Sequence, residues 1–278
     1  MSTYEIGFIG GGNMTLAIAG GLVASGWDGS SIAIADPAAD QRERLTDKFP
    51  GTFITADNAA VVAGSACIVL ATKPQVLPAV CSDLAGAAQE SKPLVVSIAA
   101  GIRSDDIDAW LGGNLAVVRV MPNQPALLGK GVSGIFANAR TSASQLERAE
   151  QVMAAVGSVV RVASEADIDS VTAISGSGPA YFFLLIDMLE STARELGLDE
   201  QAAWTLAIET AAGAAALAVS SDTPMGELIA RVRSPGGTTA AALDSLEADG
   251  VRDIFQRALT AARDRAVDLA DAASDKKD

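Results

Sequence analysis

Histidine is absent from this 278-residue chain, cysteine occurs twice and lysine six times. Without histidine there is no Ser-His-Asp triad, no imidazole-ligated metal and no imidazole acid or base. Cys67 and Cys81 stand 14 residues apart in apolar surroundings (SACIVLAT, LPAVCSDL). They form neither a zinc cluster nor a disulfide framework, which fits buried thiols in a reducing cytosol. Positive charge is scarce: 20 Lys+Arg face 34 Asp+Glu, a net charge of −14. That balance opposes nucleic acid, whose phosphates need basic neutralisation, and equally opposes anionic lipid. No run of about 20 uncharged apolar residues is present to span a bilayer. The longest candidate, 174–186, holds Gly176, Gly178 and Pro179. Residues 1–5 carry Glu5 and no positive region, so the chain reads as lacking a signal peptide and as cytoplasmic.

Apolar residues are plentiful, at 49%, enough for a sizeable core in one large domain or two ordinary ones. The first 160 residues alternate short apolar runs with amphipathic stretches. YEIGFIG (4–10), SIAIAD (31–36), ACIVLAT (66–72), PLVVSIA (93–99), LAVVRVM (115–121), GVSGIFA (131–137) and SVVRVA (158–163) read as strands. Helical stretches lie at 13–25, 38–48, 57–63, 75–88, 103–110 and 143–156. Several strand runs are apolar throughout, as expected where helices cover both faces of a mostly parallel, doubly wound sheet.

The texture changes near residue 164. SEADIDSVTAIS offers a capped helix start, with Ser164 as N-cap and Asp167 at the third helical position. Pro179 fits the first turn of a long helix ended by Gly197, and further helices follow at about 199–220, 225–232, 237–248 and 251–272. The tail SDKKD is polar and expected to fray. The expected plan is α/β: a Rossmann-type domain at 1–163 joined directly to an all-helical domain at 164–278. The second part carries 20 acids and 9 bases, against 14 and 11 in the first. It is rich in alanine (AAGAAALA, TTAAAL), whose small side chains leave each helix little apolar area of its own. Such helices gain stability by intertwining with another subunit.

Ile9, Gly10, Gly11, Gly12, Asn13 and Met14 end the first strand and open a helix. Gly10 permits a tight turn, and Gly12 lets backbone approach a pyrophosphate at the helix N-terminus. Thr15 stands where this fingerprint usually has Gly or Ala. Asp36 ends the second strand, placed to accept hydrogen bonds from an adenosine ribose, which favours NADH. Arg42 and Arg44 follow and can offset that charge, so NADH and NADPH both stay open. Lys73-Pro74, Ala99-Ala100-Gly101 and Met121-Pro122-Asn123 follow strands at the edge where α/β sheets bind ligands, and Pro74 can start the next helix.

Two runs rich in Gly, Ser and Pro, SGSGPA (175–180) and SPGGTT (234–239), each precede an apolar helix. Backbone amides and hydroxyls there can bind a small carboxylate without lysine. No lysine lies in the interior of the helical part, so the base that alcohol oxidation normally needs is missing. A protonated C=N bond is already activated toward hydride and mainly needs orienting, so imine reduction fits the residue inventory better.

GFIGGGNM, ATKPQ, SIAAGI, VRVMPN, AISGSGPAYFF and SPGGTTAAALDSLE occur in the order found in Δ1-pyrroline-5-carboxylate reductases, and the chain resembles that family over about residues 4–270. The resemblance implies NAD(P)H-dependent reduction of pyrroline-5-carboxylate to L-proline, the last step of proline biosynthesis. It implies a helical domain that interlocks two subunits, with dimers often assembled into decamers. By motif, Ile9 to Met14 would hold the pyrophosphate, and Asp36 and Asn58 would lie along the adenosine side. Ala71, Thr72, Lys73 and Pro74 with Ile98, Ala99 and Ala100 would line the nicotinamide half. Ser234, Gly236, Gly237, Thr238 and Thr239, with Ser177, would bind the cyclic imino acid, and Thr239 aligns with the proposed proton donor. A threonine hydroxyl is a poor acid, so Thr239 reads as an orienter relaying a proton from water. Three residues depart from the family pattern: Thr15, expected to loosen the helix–strand contact; Gln124; and Arg233, which either attracts the carboxylate or points to solvent. A β-hydroxyacid dehydrogenase shares the two-domain plan but wants a lysine on the long helix, and 175–196 has none. A nucleotide sensor with a degenerate site would bind NAD(P)H without turnover.

The alanine-rich helical part predicts a homodimer. Light scattering at micromolar concentration is expected to give at least twice the chain mass, and a monomer would contradict this reading.

Overall fold

The computed structural model describes residues 3–274. The chain up to Ser177 together with the chain from Ala262 forms one compact unit, and Gly178–Ala261 form another.

The first unit is built on an eight-stranded sheet ordered β3-β2-β1-β4-β5-β6-β7-β8. Its strands are β1 (Ile6–Ile9), β2 (Ile32–Ala35), β3 (Phe53–Thr55), β4 (Cys67–Leu70), β5 (Leu94–Ser97), β6 (Val117–Met121), β7 (Gly131–Ala137) and β8 (Gly157–Arg161). All pairings are parallel except β6 with β7. Every residue of β1, β2, β4 and β5 is buried, because helices cover both faces. One apolar layer gathers Phe8, Leu22, Val69 and Val96, and the other Ile9, Val61, Ile68 and Val95. Cys67 and Cys81 lie in these layers, and burial pushes both thiols up to about 12, so neither is a nucleophile.

The helices are α1 (Asn13–Ala24), α2 (Ala39–Lys48), α3 (Asn58–Gly64), α4 (Leu77–Ser91), α5 (Ser104–Trp110), α6 (Ala143–Ala154) and α7 (Asp167–Val171). Their starts follow local chemistry. Asp57 accepts a hydrogen bond from the Ala60 amide at the head of α3, and Ser142 and Gln145 cap α6 reciprocally. β3 is absent from the sequence reading, because three half-exposed residues give no periodic signal. Pro74 does not start a helix. It lies in a turn, and α4 begins at Leu77 with Pro78 in its first turn.

α7 passes without interruption into a π-turn at Thr172–Gly176. This stretch packs on the sheet: Gly134 of β7 leaves room for Val171, where a Cβ would lie 2.6 Å from a Val171 methyl. The compact units therefore part at Ser177, beyond the texture change at 164. The Asp167 carboxylate takes the Ser164 amide and hydroxyl at 2.9 Å, and these bonds hold its pKa below the usual carboxylate value.

The second unit contains α8 (Gly178–Glu195), α9 (Glu200–Val219), α10 (Met225–Val232), α11 (Thr238–Ala248) and the first half of α12 (Val251–Ser274). Residues 167–195 and 200–219 are helical, and long and apolar enough to cross a bilayer by length and composition; a search for uncharged runs passes over them. Phe182, Phe183, Leu184, Met188, Leu189, Trp204 and Leu206 are each more than half exposed in the single chain. The last turns of α12 belong to the first unit. There Leu269 packs on Gly101, Arg103 pairs with Asp271 and the Ser274 hydroxyl donates to Asp106. Beyond Ser274, the polar tail lies outside the described residues.

Candidate active site

Within the first unit, the carboxyl ends of parallel strands converge. Gly10 leaves β1 with φ +102°, a left-handed conformation that disfavours any Cβ, and a Cβ there would lie 2.9 Å from the Ala71 carbonyl. The turn can be this tight only because residue 10 is glycine. Gly12 caps α1 without a side chain, and a Cβ added to it would meet nothing within 4 Å. The first amides of α1 therefore have no side-chain cap and no intrahelical partner, at the positive end of a twelve-residue helix.

Thr15 does not loosen this turn. It is fully buried, and its hydroxyl donates to the Gly10 carbonyl at 2.6 Å. The bond ties the helix back to the loop and satisfies an acceptor that an alanine would leave alone. Asp36, at the end of β2, accepts the Gly11 amide at 2.8 Å on one carboxylate oxygen and the Ala38 amide at 2.9 Å on the other. Gln41 donates to the Gly11 carbonyl, and Arg42 donates to the carbonyls of Asp36 and Pro37 at 2.9 and 2.8 Å. Arg42 is thus a brace of the turn beside Asp36, whereas Arg44, two residues further along α2, is exposed. Asn58 opens α3 directly after β3, at the same sheet edge.

Ala71–Pro74 follow β4, and Ile98–Ala100 follow β5. The Ile98 amide donates to the Leu70 carbonyl at 3.2 Å, so the two loops run side by side. The Thr72 hydroxyl is buried with no partner, an orphaned polar group in the loop assigned to the nicotinamide. Lys73 is exposed and forms no ion pair among the described residues. Open amides, a cradle kept clear by Gly12 and an unsatisfied hydroxyl together fit a dinucleotide.

In the second unit, the turn 234–239 opens α11. Gly236 has φ +70°, and the Gly237 amide closes on the Ser234 carbonyl at 3.0 Å. Gly237 is the N-cap and offers no side chain, so the amides at the head of α11 are not capped from within. No partner occupies the hydroxyls of Ser234, Thr238 or Thr239 among the described residues. Arg233 neither points to solvent alone nor reaches for a ligand: its guanidinium pairs with Asp244 at 2.5 Å, which offsets its charge. The first run behaves differently. Ser175 and Gly176 lie in the π-turn, the Ser177 amide donates to the Thr172 carbonyl at 2.8 Å, and only from Gly178 does a new helix run. Its leading amides are therefore partly spent, and the two runs are not equivalent. Sequence reasoning missed Arg119, a buried cation on β6 in register with Ser97 of β5; its one signal was an arginine inside the apolar run VVRVM.

Comparison with known proteins places these features. Residues 165–269 match the family described as pyrroline-5-carboxylate reductase dimerisation, and residues 5–101 match NADP oxidoreductase, coenzyme F420-dependent. The pyrroline-5-carboxylate reductase of Pseudomonas aeruginosa is 46% identical over 271 residues, covering 98% of each chain. The solved structure of a pyrroline-5-carboxylate reductase from Coxiella burnetii superposes with a TM-score of 0.92 at 40% identity, covering 97% of this chain and 99% of that one. The pyrroline carboxylate reductase of Plasmodium falciparum, solved with NADP bound, superposes at 0.83 with 26% identity, covering 97% and 99%.

Thr15→Val removes the hydroxyl from a buried carbonyl. The expected cost is about 1 kcal/mol, read as a melting midpoint lowered by about 2–4 °C; an unchanged midpoint would show that the Gly10 bond contributes nothing.

Proposed function

The chain belongs to the pyrroline-5-carboxylate reductase family, and on that premise we propose how its residues carry the reaction. The chemistry is the NAD(P)H-dependent reduction of Δ1-pyrroline-5-carboxylate to L-proline, the last step of proline biosynthesis. Hydride adds to the imine carbon, and the C=N electron pair moves to nitrogen. For a protonated imine, that single addition neutralises the cation and leaves a ring N–H, so no strong protein acid is required.

The observation that carries the reading is the turn 234–239, with its glycine N-cap and its unpartnered hydroxyls. Ser234, Gly236, Gly237 and Thr238 hold the substrate carboxylate through amides and hydroxyls. Thr239 sets its hydroxyl on the ring nitrogen and relays to it, from water, the proton that turns the neutral imine into the cation the hydride attacks. Ser177 adds a further hydroxyl to the imino acid. Ile9 to Met14 hold the cofactor pyrophosphate, and Asp36 and Asn58 flank the adenosine. Ala71 to Pro74 and Ile98 to Ala100 line the nicotinamide, which supplies the hydride when bound. Either NADPH or NADH serves: Asp36 opposes a 2′-phosphate while Arg42, beside it, moderates that opposition.

The division of labour proposed is 1–163 for the dinucleotide and 164–278 for subunit contact and substrate, in line with the family match at 165–269. The apolar faces of α8 and α9 are covered by a second copy, giving a homodimer that can assemble further into a decamer. The enzyme works in the cytoplasm, with neither nucleic acid nor membrane as a partner, consistent with its charge of −14.

Thr239→Ala is expected to lower kcat on the imine by about tenfold or more while the KM for NAD(P)H stays put. An unchanged kcat/KM for the imino acid would remove Thr239 from the mechanism.

A further inference from the structure

The end of β6 and the residues just beyond it meet the 165–177 segment. Arg119 is 2% exposed, and its guanidinium reaches Glu165 at 3.4 Å and Asp169 at 3.2 Å. Glu165 in turn accepts the Ser104 amide at 2.6 Å and the Ser104 hydroxyl at 2.8 Å. Two residues on, the Met121 side chain lies against Gly176, where a Cβ would stand 2.5 Å from its methyl. Two further, the Asn123 side-chain amide donates to the Ser175 carbonyl at 3.1 Å, while its oxygen accepts the Val132 amide at 2.9 Å. Arg119 and Met121 of β6, with Asn123 two residues beyond the strand, thus meet α7 and then the C-terminal end of the π-turn.

A π-turn is a rare conformation that usually needs outside support. Buried charges are also a poor route to stability, since apolar replacements of equal volume often do as well. An Arg–Glu–Asp cluster on β6 and, just beyond it, an asparagine that both donates and accepts make better sense as geometry control. We propose that Asn123, with Met121 and Arg119 behind it, are positioning residues that hold the π-turn 172–176 so that Ser177 meets the imino acid. The inference rests on the role given to Ser177 above. In this proposal all three act through the turn and not by contact with the imino acid.

Asn123→Asp isolates the claim, because a carboxylate still accepts the Val132 amide but cannot donate to the Ser175 carbonyl. With each substrate varied in turn, the imino-acid KM is expected to rise about tenfold, the ratio set by one lost hydrogen bond, and the NAD(P)H KM to stay within about twofold. Gly176→Ala, which drives a methyl into Met121, is expected to raise the imino-acid KM likewise, and adding Met121→Ala to restore it. That pair decides the matter if Asn123→Asp does not fold. Unchanged constants, a cofactor KM rising in step, or failure of Met121→Ala to rescue would each overturn the positioning role. Wild-type protein that does not reduce the imine would overturn the functional reading instead, so the two failures are distinct.

Discussion

Binding of anions by uncapped backbone amides is the constraint on which the rest depends. A chain with no histidine and a net charge of −14 cannot rely on clustered side-chain cations. It has the dipoles of its helices instead. α3, α6 and α9 close their own leading amides with Asp57, Ser142 and Asp199. α1 and α11 start on glycine and leave theirs open. α2, α4, α5 and α10 also lack a side-chain cap, so what sets α1 and α11 apart is the glycine that leaves the N-cap without a side chain. In the proposed reading one such start would serve the pyrophosphate and the other the carboxylate.

Much of this was legible because the two halves obey different periodicities. β1, β2, β4 and β5, buried on both faces, appear as unbroken apolar runs, and the runs of β6, β7 and β8 stand out beside them; β3, three residues long with Phe53 partly exposed, does not. The glycine N-caps of α1 and α11 are legible too, in GGGN and SPGGTT. What escaped was whatever depends on partners far along the chain. Thr15 looks like a defect until its hydroxyl is seen on Gly10, and Arg233 looks like a ligand until Asp244 is seen beside it. The π-turn has no sequence signature, because a single extra residue in a helical turn is set by what grips it from outside. Arg119 was visible as an anomaly in an apolar strand, but its meaning needed Glu165 and Asp169.

The helical half follows a different economy. Its alanines and glycines allow close approach but supply little area within one chain, and its large apolar residues, Phe182, Phe183 and Trp204 among them, stand exposed. The match of 165–269 to a dimerisation family accounts for that surface. α12 then carries the chain back to the N-terminal unit, where Leu269, Asp271 and Ser274 fasten onto residues 101–106, directly after the loop assigned to the nicotinamide.

The central claim is that a carboxylate on the 234–239 turn presents an electron-poor C=N carbon to hydride. The most direct measurement compares kcat/KM for pyrroline-5-carboxylate with that for 1-pyrroline, the same cyclic imine without the carboxylate. The account predicts a loss of about 100-fold or more, as expected when charge-assisted hydrogen bonds go unmade. Equal values for the two imines would contradict it.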